Sequence, residues 1–104
     1  MKISLAQLLE RLPLPATEQW PDGVFAAEAI SHGTMSLEVF APRGTDHQRP
    51  HLQDELYIVV SGRAAFWREG QTDDVAAGDA LFVRAGQDHR FTDMSDDFVT
   101  WVIF

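Results

Sequence analysis

Leu5, Leu8, Leu9 and Leu12 fall at i, i+3, i+4 and i+7, one face of a helix. Ser4 followed by Gln7 has the form of a capping box, and Pro13 and Pro15 stop the pattern. The spacing predicts an amphipathic helix over roughly residues 4–12. It forms an N-terminal helical arm, residues 1–15, expected to pack on the rest of the chain or on a partner subunit.

After Pro15 the pattern changes to short runs punctuated by turns. Residues 24–31 and 34–41 read as two strands joined at His32-Gly33, a hairpin signal. Residues 55–60 and 63–68 flank Ser61-Gly62, and Glu69-Gly70-Gln71 turns the chain into a short strand over 73–77. Gly78-Asp79 leads into 80–84, a loop over 85–88 into 89–92, and 98–104 ends the sequence. In that last run Phe98, Val102 and Phe104 share one face, and Val99, Trp101 and Ile103 the other. Both faces are apolar, so the strand is expected to be covered twice, by the core and by something else. Treated as an edge strand, it calls for a second subunit, and a twofold homodimer is expected. Many short strands with regular turns argue a sandwich or barrel, with residues 16–104 as one domain. Tyr57, Phe66, Trp67, Phe82, Phe91 and Trp101 are the expected aromatic core.

Composition narrows the function classes. The 104 residues suffice for one domain, and 45% hydrophobic content fits a packed core. The net charge of −8 disfavours nucleic acid and anionic membrane as partners. No cysteine is present, so neither a disulfide framework nor a thiolate metal site is available. The opening Met1-Lys2-Ile3-Ser4-Leu5 runs into Glu10 and Arg11 without signal-peptide character, and a cytoplasmic protein is expected.

The chemistry concentrates in three residues. His51 precedes Glu55 by four positions, and Glu55 opens a β-rich run. In an extended strand those four steps span about 13 Å, too far for chelation. A turn over Leu52-Gln53-Asp54 brings the two side by side; a helix would do the same, but Tyr57-Ile58-Val59-Val60 argues for strand. His89 follows a glycine-bearing loop and enters another strand. Two imidazoles and a carboxylate on neighbouring strands make a facial set for a divalent transition metal, with positions left open for water, oxygen or substrate.

These motifs resemble those of the cupins, a superfamily of small jelly rolls. His51, Glu55 and Gly62 fit the spacing of the first cupin motif; Gly78, Gly86 and His89 fit the second, with Arg84 where proline is usual and Asp93 where asparagine is usual. The resemblance spans about residue 34 to the end. It implies an all-β cupin-like jelly roll with a short N-terminal helix, and a divalent metal (Fe, Mn, Ni or Zn) on His51, Glu55 and His89. One departure is that Arg49 stands where the motif's first histidine usually lies, and arginine does not ligate metal. A fourth ligand then comes from His47 or Gln48, or is water. Strict alternation favours His47, whereas a bulge at Pro50 turns Gln48 inward instead. Arg49 and Arg84 are candidates for gripping a carboxylate-bearing ligand, or surface residues in ion pairs. The sequence supports two functions: a metal-dependent small-molecule enzyme, dioxygenase- or isomerase-like, or a non-catalytic binding or sensing module, metal-bound or metal-free.

Overall fold

A computed structural model describes all residues, 1–104. Helix α1 (Leu5–Glu10) precedes eight strands: β1 (Ala26–His32), β2 (Met35–Phe40), β3 (Glu55–Ser61), β4 (Arg63–Arg68), β5 (Gln71–Ala76), β6 (Ala80–Val83), β7 (His89–Thr92) and β8 (Val99–Ile103). They form a five-stranded sheet in the order β1-β2-β8-β3-β6 and a three-stranded sheet in the order β5-β4-β7, and every pairing is antiparallel. The two-sheet sandwich anticipated from the turn spacing, and the jelly roll that the resemblance implies, are the observed architecture. No helix is long and apolar enough to cross a membrane.

Alternation builds the core between the sheets. Tyr57 and Val59 of β3, Phe66 of β4, Val83 of β6, Phe91 of β7 and Val102 of β8 all point inward and are almost fully buried. Phe91 is the hub, with Tyr57, Phe66 and Phe98 each 4.9 Å away between ring centroids, in edge-on or tilted contacts. Gly62 makes the β3–β4 turn at φ +72°, and a Cβ there would come within 2.6 Å of the Phe98 backbone. Only glycine satisfies both the left-handed backbone and that close approach.

Two expectations need correction. The last strand is not an edge: β8 lies between β2 and β3, so its backbone is paired on both sides. Its second apolar face is covered in part by α1 of the same chain, where Leu8 meets Val39 and Val99, with Leu5, Leu9, Leu12 and Trp101 around them. The helix is capped by the Ser4 hydroxyl, which accepts from the Gln7 amide at 3.3 Å. Phe82, assigned to the core by its aromaticity, is 57% exposed. It stands opposite Leu56 on the outer face of β6, while Leu81 and Val83 take the inward positions.

Candidate metal centre

The segment between β2 and β3, residues 41–54, contains no strand, and its path is fixed by specific hydrogen bonds. Asp46, 5% exposed, accepts from the Gln48 amide (3.0 Å), from the Gln48 side-chain amide and, across the barrel, from the Phe91 amide of β7 (2.8 Å). An acceptor-only carboxylate meeting three donors fixes the Gln48 amide with its nitrogen toward Asp46. The Gln48 oxygen then accepts from the Tyr57 hydroxyl at 2.9 Å. Burial pushes the Asp46 carboxyl up from its ordinary value, against the pull of these hydrogen bonds and of His89. Two further ties fasten the His51 end: the Gly86 amide donates to the His51 carbonyl at 2.7 Å, and the Ala85 amide to Asp54 Oδ1 at 2.9 Å. The loop that carries His51 is thus bound to β7 at one end and to the β6–β7 loop at the other.

The bend before β3 brings His51 beside Glu55. His51 Nε2 and His89 Nε2 each lie 2.9 Å from Glu55 Oε1. The three side chains offer ligand atoms all within 4.8 Å of one another. Each histidine turns its other nitrogen to a backbone carbonyl two residues away: His51 Nδ1 to Gln53 at 3.0 Å, and His89 Nδ1 to Gln87 at 2.8 Å. A carbonyl only accepts, so Nδ1 carries a hydrogen in both rings; Nε2 is the nitrogen turned to Glu55, a donor to its carboxylate while the ring is protonated and a free lone pair once it is not. His89 is fully buried, and its Nε2 has no well-aligned hydrogen-bond partner. A buried nitrogen without a partner is costly unless something else satisfies it. Oriented lone pairs, an adjacent buried carboxylate and an orphaned nitrogen together fit a divalent transition metal. Burial works to lower the His89 pKa, but the Glu55 carboxylate, the Gln87 carbonyl and Asp46 outweigh it, and the net shift is upward.

The remaining candidates are placed as follows. His47 is outside this group: its ring packs edge-on against Trp20, with centroids 5.6 Å apart. The alternation that favoured it does not operate, because the segment is a loop turned by Asp46. Gln48 lines the pocket but already bonds Asp46 and Tyr57. Arg49 also lines the pocket; Arg84 is exposed and does not. That pocket, about 350 Å³, has His51, Glu55 and Tyr57 on one side and an apolar wall of Trp20, Phe25, Phe40, Val102 and Phe104. Tyr57 is fully buried, and burial, with the Glu55 and Asp46 charges, raises its hydroxyl well above the ordinary tyrosine value.

Glu38 was not picked out from the sequence. It points from β2 into the same pocket. Burial raises its pKa first, and the charges of Glu55 and Glu28 add to that, against a lowering contribution from His51. The available signal was its register: Leu37 and Val39 alternate with Glu38 and Phe40, so the charged residue shares the inward face with a core phenylalanine.

Comparison with known proteins agrees with this architecture. The family described as Cupin domain matches residues 36–104. An uncharacterized protein of Streptomyces coelicolor is 48% identical over 85 residues, covering 80% of each chain. Among solved structures, KdgF from a Halomonas species superposes with a TM-score of 0.67 at 17% identity, over 76% of each chain. A cupin superfamily protein from Desulfitobacterium hafniense gives 0.63 at 20% identity, over 75% of this chain and 72% of that one. The DMSP lyase DddQ from Ruegeria pomeroyi gives 0.63 at 24% identity, over 75% of this chain and 44% of that one. At these identities the structural likeness is one of fold, whereas the family match takes in both spaced motifs; the chain belongs to the cupins.

Proposed function

We propose that this cupin holds one divalent transition metal, Fe, Mn, Ni or Zn, on His51 Nε2, His89 Nε2 and the Glu55 carboxylate, and binds and acts on a small molecule there. The observation that carries the proposal is the pair of Nε2 atoms, each 2.9 Å from Glu55 Oε1, with both Nδ1 atoms held by backbone carbonyls. A metal bound there supplies Lewis acidity or oxygen activation. The chain supplies the rest. Gln53 and Gln87 fix the imidazole tautomers, and Asp46 and Gln48 fix the Tyr57 hydroxyl beside the group. The apolar wall keeps water from one side of the pocket. Three protein ligands leave positions for water and for the small molecule.

The proposal includes a cytoplasmic setting, consistent with the absence of cysteine, and a homodimer. The dimer is placed on the half of the outer sheet face that α1 does not cover. Leu56, Ile58 and Ile103 are half-buried there, beside Phe82 at 57% exposure. On a chain of net charge −8, this uncharged face is where a second copy meets least repulsion.

Titration of metal-free protein with Co²⁺, read by visible absorption, tests the metal. One equivalent is expected, with affinity falling as pH drops below about 6.5, where imidazole takes a proton. His47→Ala is expected to leave the affinity within about twofold, while His51→Ala and His89→Ala each lower it by at least 100-fold or so. Equal affinities across the three variants contradict the ligand set. A protein that binds a small molecule equally well with and without metal is instead a metal-free binding module.

A further inference from the structure

Glu38 faces the pocket without a hydrogen-bond partner in the protein, and the ligand set leaves it unused. Its position relative to that set follows from strand register. Glu38 of β2 pairs with Val102 of β8, and Val102 pairs with Tyr57 of β3. These three therefore form one row across the inner face of the sheet, with two strand spacings, about 10 Å, between the outer members. Glu55 lies two residues along β3 from Tyr57 on the same face. The corresponding place on β8 belongs to Phe104, whose backbone pairs with Ser36 of β2. Val102 and Phe104 are thus the floor between Glu38 and the metal group, with Trp20, Phe25 and Phe40 as walls. Backbone to backbone, the Glu38–Glu55 diagonal is about 12 Å. Both glutamates rise from this one face into the same pocket, so a short ligand lying over Val102 and Phe104 reaches from one to the other.

Resting on the metal proposal, we propose that Glu38 is the residue that contacts the far end of the ligand. The ligand class is a small oxygen-chelating acid that carries a hydroxyl across a short planar body. Its chelating head sits on the metal, its body lies on Val102 and Phe104, and its hydroxyl meets the Glu38 carboxyl. The groups facing Glu38 are Glu28 on β1, Glu55 on β3 and His51 on the loop before β3; the β8 residues beneath it are apolar. The two carboxylates and burial keep a proton on Glu38 to higher pH than usual, and a carboxylic acid both donates to and accepts from a hydroxyl. Arg49, on the pocket lining, offsets the charge of an acidic ligand.

The experiment compares two probes on the Co²⁺-loaded protein, benzohydroxamate and 4-hydroxybenzohydroxamate. They share chelating head and ring and differ only in the far hydroxyl. In the wild type the hydroxylated probe is expected to bind about tenfold more tightly, the size of one hydrogen bond to a buried carboxyl. Glu38→Leu brings that ratio to about one in protein that still takes up one equivalent of Co²⁺. Glu38→Met, a variant of similar length with no hydrogen-bonding head that decides if the leucine variant does not fold, lowers the ratio at least threefold or so. A wild-type ratio near one, an unchanged ratio in both variants, or binding of neither probe to Co²⁺-loaded protein overturns the assignment of Glu38. Failure of the wild type to bind Co²⁺ is a different result and overturns the metal proposal itself.

Discussion

The two faces of the five-stranded sheet solve opposite problems. The inner face buries polar groups: Glu55 is 3% exposed and Thr100 wholly buried, amid phenylalanines. The outer face is apolar, and only half of it is covered within the chain. α1 closes over Val39 and Val99, while Phe82 and its neighbours Leu56 and Ile58 stay accessible. A buried carboxylate costs several kcal/mol unless compensated, so a fold keeps one where it has a use. An uncovered apolar face costs solubility, and a fold keeps it where a partner meets it. On the proposed function, the inner face serves ligand chemistry and the uncovered outer half serves assembly.

The largest effect is expected where α1 meets the sheet. Leu8→Ala removes the central side chain of the helix cover and is expected to cost about 2–4 kcal/mol in denaturant unfolding. A cost below about 0.5 kcal/mol would mean that the helix lies loosely on the sheet. On the inner side, Asp46→Ala leaves the Phe91 amide without its acceptor and frees Gln48 and the loop before β3. A loss of about 1–3 kcal/mol is expected, with Co²⁺ affinity reduced at least tenfold. Loss of stability with unchanged Co²⁺ affinity would show that the loop does not position His51.

Assembly comes next in size. Ile58→Glu puts a charge on the uncovered outer half and is expected to convert a dimer of twice 11.7 kDa to a monomer in sedimentation equilibrium, with the fold retained. A wild-type monomer at micromolar concentration would contradict the assignment of that face. The smallest effect is at Glu38. Its carboxyl titrates higher in the folded than in the unfolded chain. Its contribution to stability is therefore full below the unfolded carboxylate value and lost as pH rises through the folded one. Glu38→Gln should flatten that fall between acid and neutral pH; parallel stability profiles for variant and wild type would contradict it.

These contrasts also mark what the chain disclosed and what it withheld. The bounds of β4 and β7 agree with the sequence pattern, and the other strands differ from it by one or two residues, because turn glycines set the punctuation. His51, Glu55 and His89 were legible because motif spacing survives folding. The fourth position was not. Alternation presumes a strand, and residues 41–54 are a loop whose shape depends on Asp46 bonding an amide 45 residues away. Strand order was equally hidden: Phe98–Phe104 is apolar on both faces whether it lies at an edge or, as here, between two neighbours. Glu38 looked like one charge among many, since only the pairing of β2 with β8 aims it at the pocket.

The central claim is that His51, Glu55 and His89 hold a metal. Elemental analysis of protein purified without added metal, run beside a His51→Ala/His89→Ala double variant of verified fold, tests it most directly. About one equivalent of a divalent transition metal per chain in the wild type and less than about 0.1 in the variant is the predicted result. The same metal content in both, or none in a wild type that also fails to take up metal from solution, would contradict it.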